Sequence, residues 1–295
     1  MKRNCRIMQA GLGIMLSALL LCLGFDYFTR LKNPVFLNYC IEASAVSFQG
    51  DGYRNLLFEI QYFTNSEDKR QVEDISFQEA PEMDFLATEM PSADGFQFMN
   101  PNQTPGITLG KYSLRTIYIY QSNNFREDWE GEKELKTAVI RFNNGSLMTV
   151  DLGKLILYSD PPQEGAIDGD SAIYHDSSMY KQSSVFRVSS RISLISLSSP
   201  FMEEASFIEM KVDNSEADEI AGRIYDKNDN IAVDTVINTG NNIEMGYDVY
   251  NIVPRLNYKD TAGAAGYVRI HGIHWERSFH TLKDALSYLK ERGAI

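Results

Sequence analysis

From Ile7 to Phe25 the chain carries about 19 residues without a charge, close to the roughly 20 that a helix needs to cross ~30 Å of hydrocarbon. Secretory signal sequences usually have a shorter apolar centre, about 7–15 residues, followed by small residues at the cut. Here the run ends Leu21, Cys22, Leu23, Gly24, Phe25, Asp26, and only Gly24, with Cys22 two residues before it, offers a passable cleavage point. Cys22 would also suit a lipoprotein, except that Leu21 is too large for the place before a lipidated cysteine. Tyr27 and Phe28 stand where an interfacial aromatic belt lies. An uncleaved signal-anchor over residues 7–25 is therefore expected, with cleavage as the alternative. Lys2, Arg3 and Arg6 precede the run, whereas a mixture of Asp26, Arg30 and Lys32 follows it. The positive-inside rule then places residues 1–6 in the cytoplasm as a short tail and everything after the span outside. Six residues cannot fold into a domain, so any function is expected on the extracytoplasmic side of the cell membrane.

The formal charge is −12, and the three basic residues ahead of the span contribute +3, so the remainder carries −15. Such a surface excludes nucleic acid as a partner and disfavours anionic lipid headgroups and wall polyanions, because binding these relies on clustered Lys and Arg. Calcium, cationic peptides and neutral glycans stay compatible with it. Of three cysteines only Cys40 lies beyond the span, so no intramolecular disulfide is possible there. The outer part must be held by ordinary hydrophobic cores, which a chain of this size can build and which suits a bacterial-type envelope. Cys40 itself reads as a small buried residue of a first strand.

After Asn33 the hydrophobic pattern changes to a period of two. In "NLLFEIQYF" Leu56, Phe58, Ile60 and Tyr62 share one face, and in "FIEMKV" Ile208, Met210 and Val212 do the same. Further alternating runs recur about every 8–12 residues between Gly, Asn, Asp and Pro clusters. The expected class is mainly β: one N-terminal transmembrane helix, two immunoglobulin-like antiparallel β-sandwich domains and a short C-terminal helix. The expected divisions are a juxtamembrane linker at 26–34, a first sandwich at 35–159, a linker or long loop at 160–184, where paired prolines, glycines and serines interrupt the pattern, and a second sandwich with the helix at 185–295. Two hairpins are expected. "RFNNGSLMTV" offers Asn144-Gly145 for a type I′ turn. "RIYDKNDNIAVD" is the other; its Asp226, Asn228 and Asn230 mimic a calcium loop, but Ile231 and Ile237 occupy the places where an EF-hand needs Gly and Glu.

The closing "HTLKDALSYLKERGAI" has apolar residues at helical spacing, Thr281 and Asp284 as a capping box, and Gly293 as a stop. Its leucine face is expected to pack on the second sandwich, with partner docking through Leu282, Leu286 and Leu289 as the alternative.

Three stretches could carry chemistry. In "YVRIHGIHWERSFH" a bulge at Gly272 would put Arg269, His271, His274 and Glu276 on one outer face, opposite Val268, Ile270, Ile273 and Trp275. Two His and a Glu are a zinc ligand set, although residues two apart on a strand sit about 6.6 Å apart and need neighbouring strands to converge on one ion. "NNFREDWEGEKE" sets Trp129 between Asp128 and Glu130, a pattern for stacking on a sugar while bonding its hydroxyls. "AIDGDSAIYHD" offers Asp168, Asp170, His175 and Asp176 for calcium, in a spacing that is equally an ordinary turn. No Gly-x-Ser-x-Gly, Ser-x-x-Lys, HExxH or phosphate loop occurs. The balance points to a membrane-anchored, non-enzymatic binding or accessory protein with an envelope protein partner and no resident cofactor. A hydrolase of glycans or peptides, with the His271, His274, Glu276 row or the Trp129 loop as its site, and a subunit docked through the C-terminal helix, are the alternatives; zinc at that row or calcium at the Asp168 stretch is the alternative to no cofactor.

Overall fold

A computed structural model describes residues 2–45, 56–89, 106–122, 129–160, 165–176, 181–238 and 245–295, with side chains from Gly11 onward and, within 165–176, as far as Asp168. Helix α1 (Lys2–Phe28) keeps its apolar side chains from Leu12 onward outside both cores; over Gly11–Phe28 it is long and apolar enough to cross a membrane, a test that a signal sequence also passes. The rest is mainly β. Along the chain follow β1 (Val35–Phe36), β2 (Tyr39–Ser44), β3 (Leu56–Asn65), β4 (Val72–Phe77), β5 (Phe85–Thr88), β6 (Ile107–Leu109), β7 (Tyr112–Gln121), β8 (Gly131–Phe142), β9 (Leu147–Ser159) and β10 (Ile167–Asp176). Then come β11 (Lys181–Val188), β12 (Ile192–Ser198), β13 (Ile208–Val212), β14 (Ser215–Glu216), β15 (Ile224–Tyr225), β16 (Asn230–Ile237), β17 (Val249–Ile252), β18 (Arg255–Asp260), β19 (Ala265–Arg269), β20 (Ile273–Glu276) and α2 (Leu282–Glu291).

A middle sheet, ordered β20-β17-β2-β9-β8-β4, is buried on both faces at its centre. Tyr39, Ile41, Leu155, Leu157 and Val249 enter a first core against the sheet β1-β3-β7-β5, while Cys40, Ile156, Tyr250, Ile252 and Ile273 enter a second core with the sheets β10-β11-β16-β13-β14 and β15-β12-β18-β19. Alternation sends successive residues of one strand to opposite cores, which is why "YCIEA" and "LILY" read as nearly unbroken apolar runs.

Several expectations change here. The sheets are not all antiparallel: β2 runs parallel to both β9 and β17, with Tyr39 opposite Gly153 and Val249. The middle sheet thereby joins strands from either side of the expected 160–184 linker. That stretch is itself largely strand, since Ile167–Asp176 form β10 and pair with β11. The juxtamembrane residues are docked: Asn65 clamps the backbone of Leu31 from both sides (3.0 and 2.8 Å), and Lys111 Nζ donates to Asp26 Oδ1 (2.6 Å) and Thr29 Oγ1 (2.9 Å). Helix α2 carries the expected capping box at Thr281 and Asp284. It packs on the first core, where Ala285, Tyr288 and Leu289 are fully buried, because β17 and β20 return the chain to that side of the molecule.

The turns also differ. Between β8 and β9 only Gly145 has positive φ (81°), and Phe142 N donates to Ser146 O (2.9 Å), so the loop is a three-residue turn closed by a left-handed glycine. The two-residue I′ geometry occurs instead at Asp213-Asn214 (φ 48° and 64°), between β13 and β14. Residues 226–229 make a turn but no hairpin, since β15 pairs with β12 and β16 lies in another sheet. A Cβ at Gly145 would meet nothing within 4 Å, so Gly145→Ala is expected to cost only the left-handed penalty, about 1–2 kcal/mol, measurable by denaturant unfolding.

Candidate functional site

The outer edge of β20 and the edge of β3 flank a cleft of about 440 Å³. Its floor is Tyr39, Ile41 and Val249; Leu56, 42% exposed, stands at its mouth, and Glu59, Asn251, His274 and Glu276 supply polar groups. On the β3 side, Gln61 turns its backbone outward to accept from Leu37 N (3.1 Å) and to donate to the Tyr39 hydroxyl. Glu59, two residues along, points its backbone the same way, and among the described residues no strand pairs with it there. A bulge at Leu57 ends the regular ladder, as edge strands commonly do.

Two of the expected site residues meet in this cleft. His274 Nε2 lies 3.7 Å from Glu276 Oε2, both half exposed, and the neighbouring imidazole lowers the pKa of the Glu276 carboxyl. Ile270, Ile273 and Trp275 pack toward the second core, as the face assignment requires. The cause is a break between β19 and β20, which belong to different sheets, and not a bulge within one strand. His271 lies within that break, and its carbonyl accepts from Gln182 Nε2 (3.0 Å). Among the described residues no three His, Cys, Asp or Glu side chains gather as a metal site.

The other expected residues lie apart. Trp129 packs on the first core and Glu130 is exposed, while Asp128 lies outside the described residues. Asp168 is exposed on β10, and the side chains of Asp170, His175 and Asp176 lie outside the described set. Leu289 is fully buried and Leu282 and Leu286 pack on the same core, so the leucine face of α2 is consumed within the chain. Cys40 is buried in the second core, and burial pushes its thiol pKa up, consistent with a packing role.

Two buried ion networks escaped the sequence reading. At the junction of the cores, Glu42 accepts from Val253 N (2.7 Å) and Ser199 Oγ (3.2 Å), and Arg269 Nη1 lies 3.7 Å from its other oxygen. Arg269 also bonds Asp160 (2.5 Å from Nε) and stacks 3.4 Å over the Tyr158 ring. In the first core, Glu89 accepts from Tyr62 Oη and Val72 N (both 2.6 Å) with Arg115 Nη1 at 3.6 Å. For Glu42 and Arg115 the sequence signal was a charge at an inward position of an apolar strand, whereas Glu89 follows the end of β5 and carried no such signal.

Burial raises the pKa of both Glu42 and Glu89 and outweighs their hydrogen bonds and Arg neighbours. The native chain therefore holds these protons to higher pH than the unfolded chain does, so their contribution to stability is full below the ordinary carboxylate pKa and falls as pH rises through the raised values. Denaturant midpoints at a series of pH values should thus rise on mild acidification from neutrality. Glu42→Gln with Glu89→Gln should flatten that slope; an unchanged slope rules the assignment out. Asp68 behaves oppositely. Burial pushes it up, but bonds from the Arg70 guanidinium and backbone and from Thr64 prevail and hold it at about 2, so its contribution is lost only as pH falls from near its ordinary value toward 2.

No protein-family model and no curated protein matches the chain. Among solved structures, a protein of unknown function from Porphyromonas gingivalis W83 is similar over 74% of this chain and 90% of its own, at 9% identity and a TM-score of 0.24. The YadV chaperone is similar over 80% and 99% at 8% identity and a TM-score of 0.21, and the CupB2 chaperone of Pseudomonas aeruginosa over 80% and 98% at 9% and 0.19. Likeness at this level bears on neither the mechanism nor the ligand of this chain.

Proposed function

We propose that the chain is a membrane-anchored, extracytoplasmic, non-enzymatic binding or accessory protein of a bacterial-type envelope, and that it engages a protein partner at the cleft between β3 and β20. The observation that carries this reading is the make-up of the cleft: an apolar floor, an exposed leucine at the mouth and a few polar groups at the rim, the usual composition of a binding site. The docked juxtamembrane segment supports anchoring, because it would hold the β body at a fixed distance from the bilayer. A photo-crosslinking residue at position 59, exposed on the same cleft, in the full chain expressed in its own envelope, should capture a discrete partner. Leu56→Asp combined with His274→Ala should lower that capture about tenfold, equivalent to ~1.4 kcal/mol. Capture that is absent, or unaffected by the double substitution, removes the proposal.

The His274–Glu276 pair favours one second reading, a metal-assisted hydrolase of glycans or peptides using the same cleft. Stoichiometric zinc in the purified chain, with hydrolysis abolished by chelation and by Glu276→Gln, would establish it. A metal-free chain that still captures its partner decides for binding.

A further inference from the structure

A second cleft, about 1020 Å³, opens where α1 leaves the β body. We propose that it seats the phosphate headgroup of an anionic phospholipid from the outer face of the membrane in which α1 is embedded; this rests on α1 being a retained anchor. Depth comes first. Tyr27 and Phe28, 78% and 77% exposed, line the cleft at the end of the helix, and such aromatic side chains settle at the level of lipid headgroups. The docking of Leu31 by Asn65 and of Asp26 and Thr29 by Lys111 keeps the cleft within about one helical turn of that level.

Charge comes second. Arg30, Lys32, Lys69 and Arg70 line the cleft against Glu67 and Asp68, a local excess of two positive side-chain charges on a part of the chain that carries −15. Arg70 is engaged with Asp68 (2.7 Å), whereas Arg30, Lys32 and Lys69 are exposed and enter no salt bridge among the described residues. Arg30 and Lys32 also run against the positive-inside rule, which disfavours cations beside the span on the translocated side. The net acidity of the body argues against anionic lipid as a general surface partner. Within a Debye length, however, the field is set by the nearest charges, and here those are basic.

The test uses the full chain extracted in detergent and equilibrated with equal amounts of phosphatidylglycerol and phosphatidylcholine, with retained lipid read by native mass spectrometry. Phosphatidylglycerol should be retained about tenfold or more over phosphatidylcholine, since each Lys or Arg at an anionic surface adds severalfold. Arg30→Gln, Lys32→Gln and Lys69→Gln together should abolish the preference. Lys227→Gln with Lys259→Gln, exposed cations in the turns after β15 and at the end of β18, should leave it intact. No preference in the parent chain, equal loss in the remote variant, or displacement of the lipid by equimolar inorganic phosphate overturns the site. Alkaline carbonate washing of membranes separates the two readings. A chain released by the wash overturns the anchor and the lipid site with it, whereas a chain retained without lipid preference overturns the lipid site alone.

Discussion

A chain ending at His280 is expected to lose its first core, and with it a cooperative unfolding transition for residues 35–159. Deletion from Thr281 removes Ala285, Tyr288 and Leu289, all fully buried, and the partly buried Leu282 and Leu286 beside them. The Tyr288 ring packs 5.6 Å from Phe63 and 5.2 Å from Phe279, and its hydroxyl donates to Asp248 Oδ2 (2.7 Å), which also accepts from Asn38 N (2.8 Å). Asp248 would lose one of its buried donors and keep only Asn38 N and the Arg277 guanidinium at 3.6 Å. By the scale of large-to-small core substitutions, Leu289→Ala costs about 2–5 kcal/mol and Tyr288→Ala about 3–5 kcal/mol. Together they rival the ~5–15 kcal/mol by which a whole domain is stable. Limited proteolysis and circular dichroism of the truncated chain decide the matter. A truncated chain that remains protease-resistant and melts cooperatively would show that α2 is an appendage, free to dock elsewhere.

Arg115→Met is expected to destabilise the first core by about 3–5 kcal/mol near neutral pH, the cost of leaving one charge of a buried pair uncompensated. The Arg115 side chain is fully buried; it donates to Arg70 O (2.5 Å) and Asp68 O and faces Glu89 at 3.6 Å. Burial already raises the Glu89 pKa with Arg115 in place, so removing the guanidinium must raise it further. The penalty should therefore be largest at neutral pH and shrink as Glu89 takes up its proton on acidification. Glu89→Gln in the same chain should recover part of the loss at neutral pH and abolish that pH dependence. Denaturant unfolding of the two variants across this range reads both effects, and a pH-independent penalty would mean that lost packing, not the orphaned carboxylate, is responsible.

Local signals in the sequence were reliable for helices, strands and the helix cap, though not for turn type, where Asn144-Gly145 closes a three-residue loop and residues 226–229 form no hairpin. The apolar run before Asp26 forms one long helix, the period-two stretches form strands, and Thr281 with Asp284 caps α2 as their spacing requires. The face assignment around His274 and Glu276 also survives, because Ile273 and Trp275 must point the other way on a strand. Spacing could not say that His271 would fall in the interruption between β19 and β20, off the strand that carries His274 and Glu276. Nor could it say that Glu59 and Leu56 would complete the cleft from a strand more than 200 residues away.

What the sequence determined by itself is therefore the inventory: an apolar helix, many alternating strands, a capped terminal helix and an acidic surface. These follow from the character of each residue and its near neighbours, through hydrogen-bond geometry and side-chain period. Only the tertiary structure decided the partners. Tyr39 lies beside Val249 in a parallel pairing, one sheet serves two cores, β10 occupies an expected linker, and α2 crosses back to the first core. Each of these choices depends on which apolar faces are left to cover one another once the strands exist, a global packing condition that no short window of residues contains.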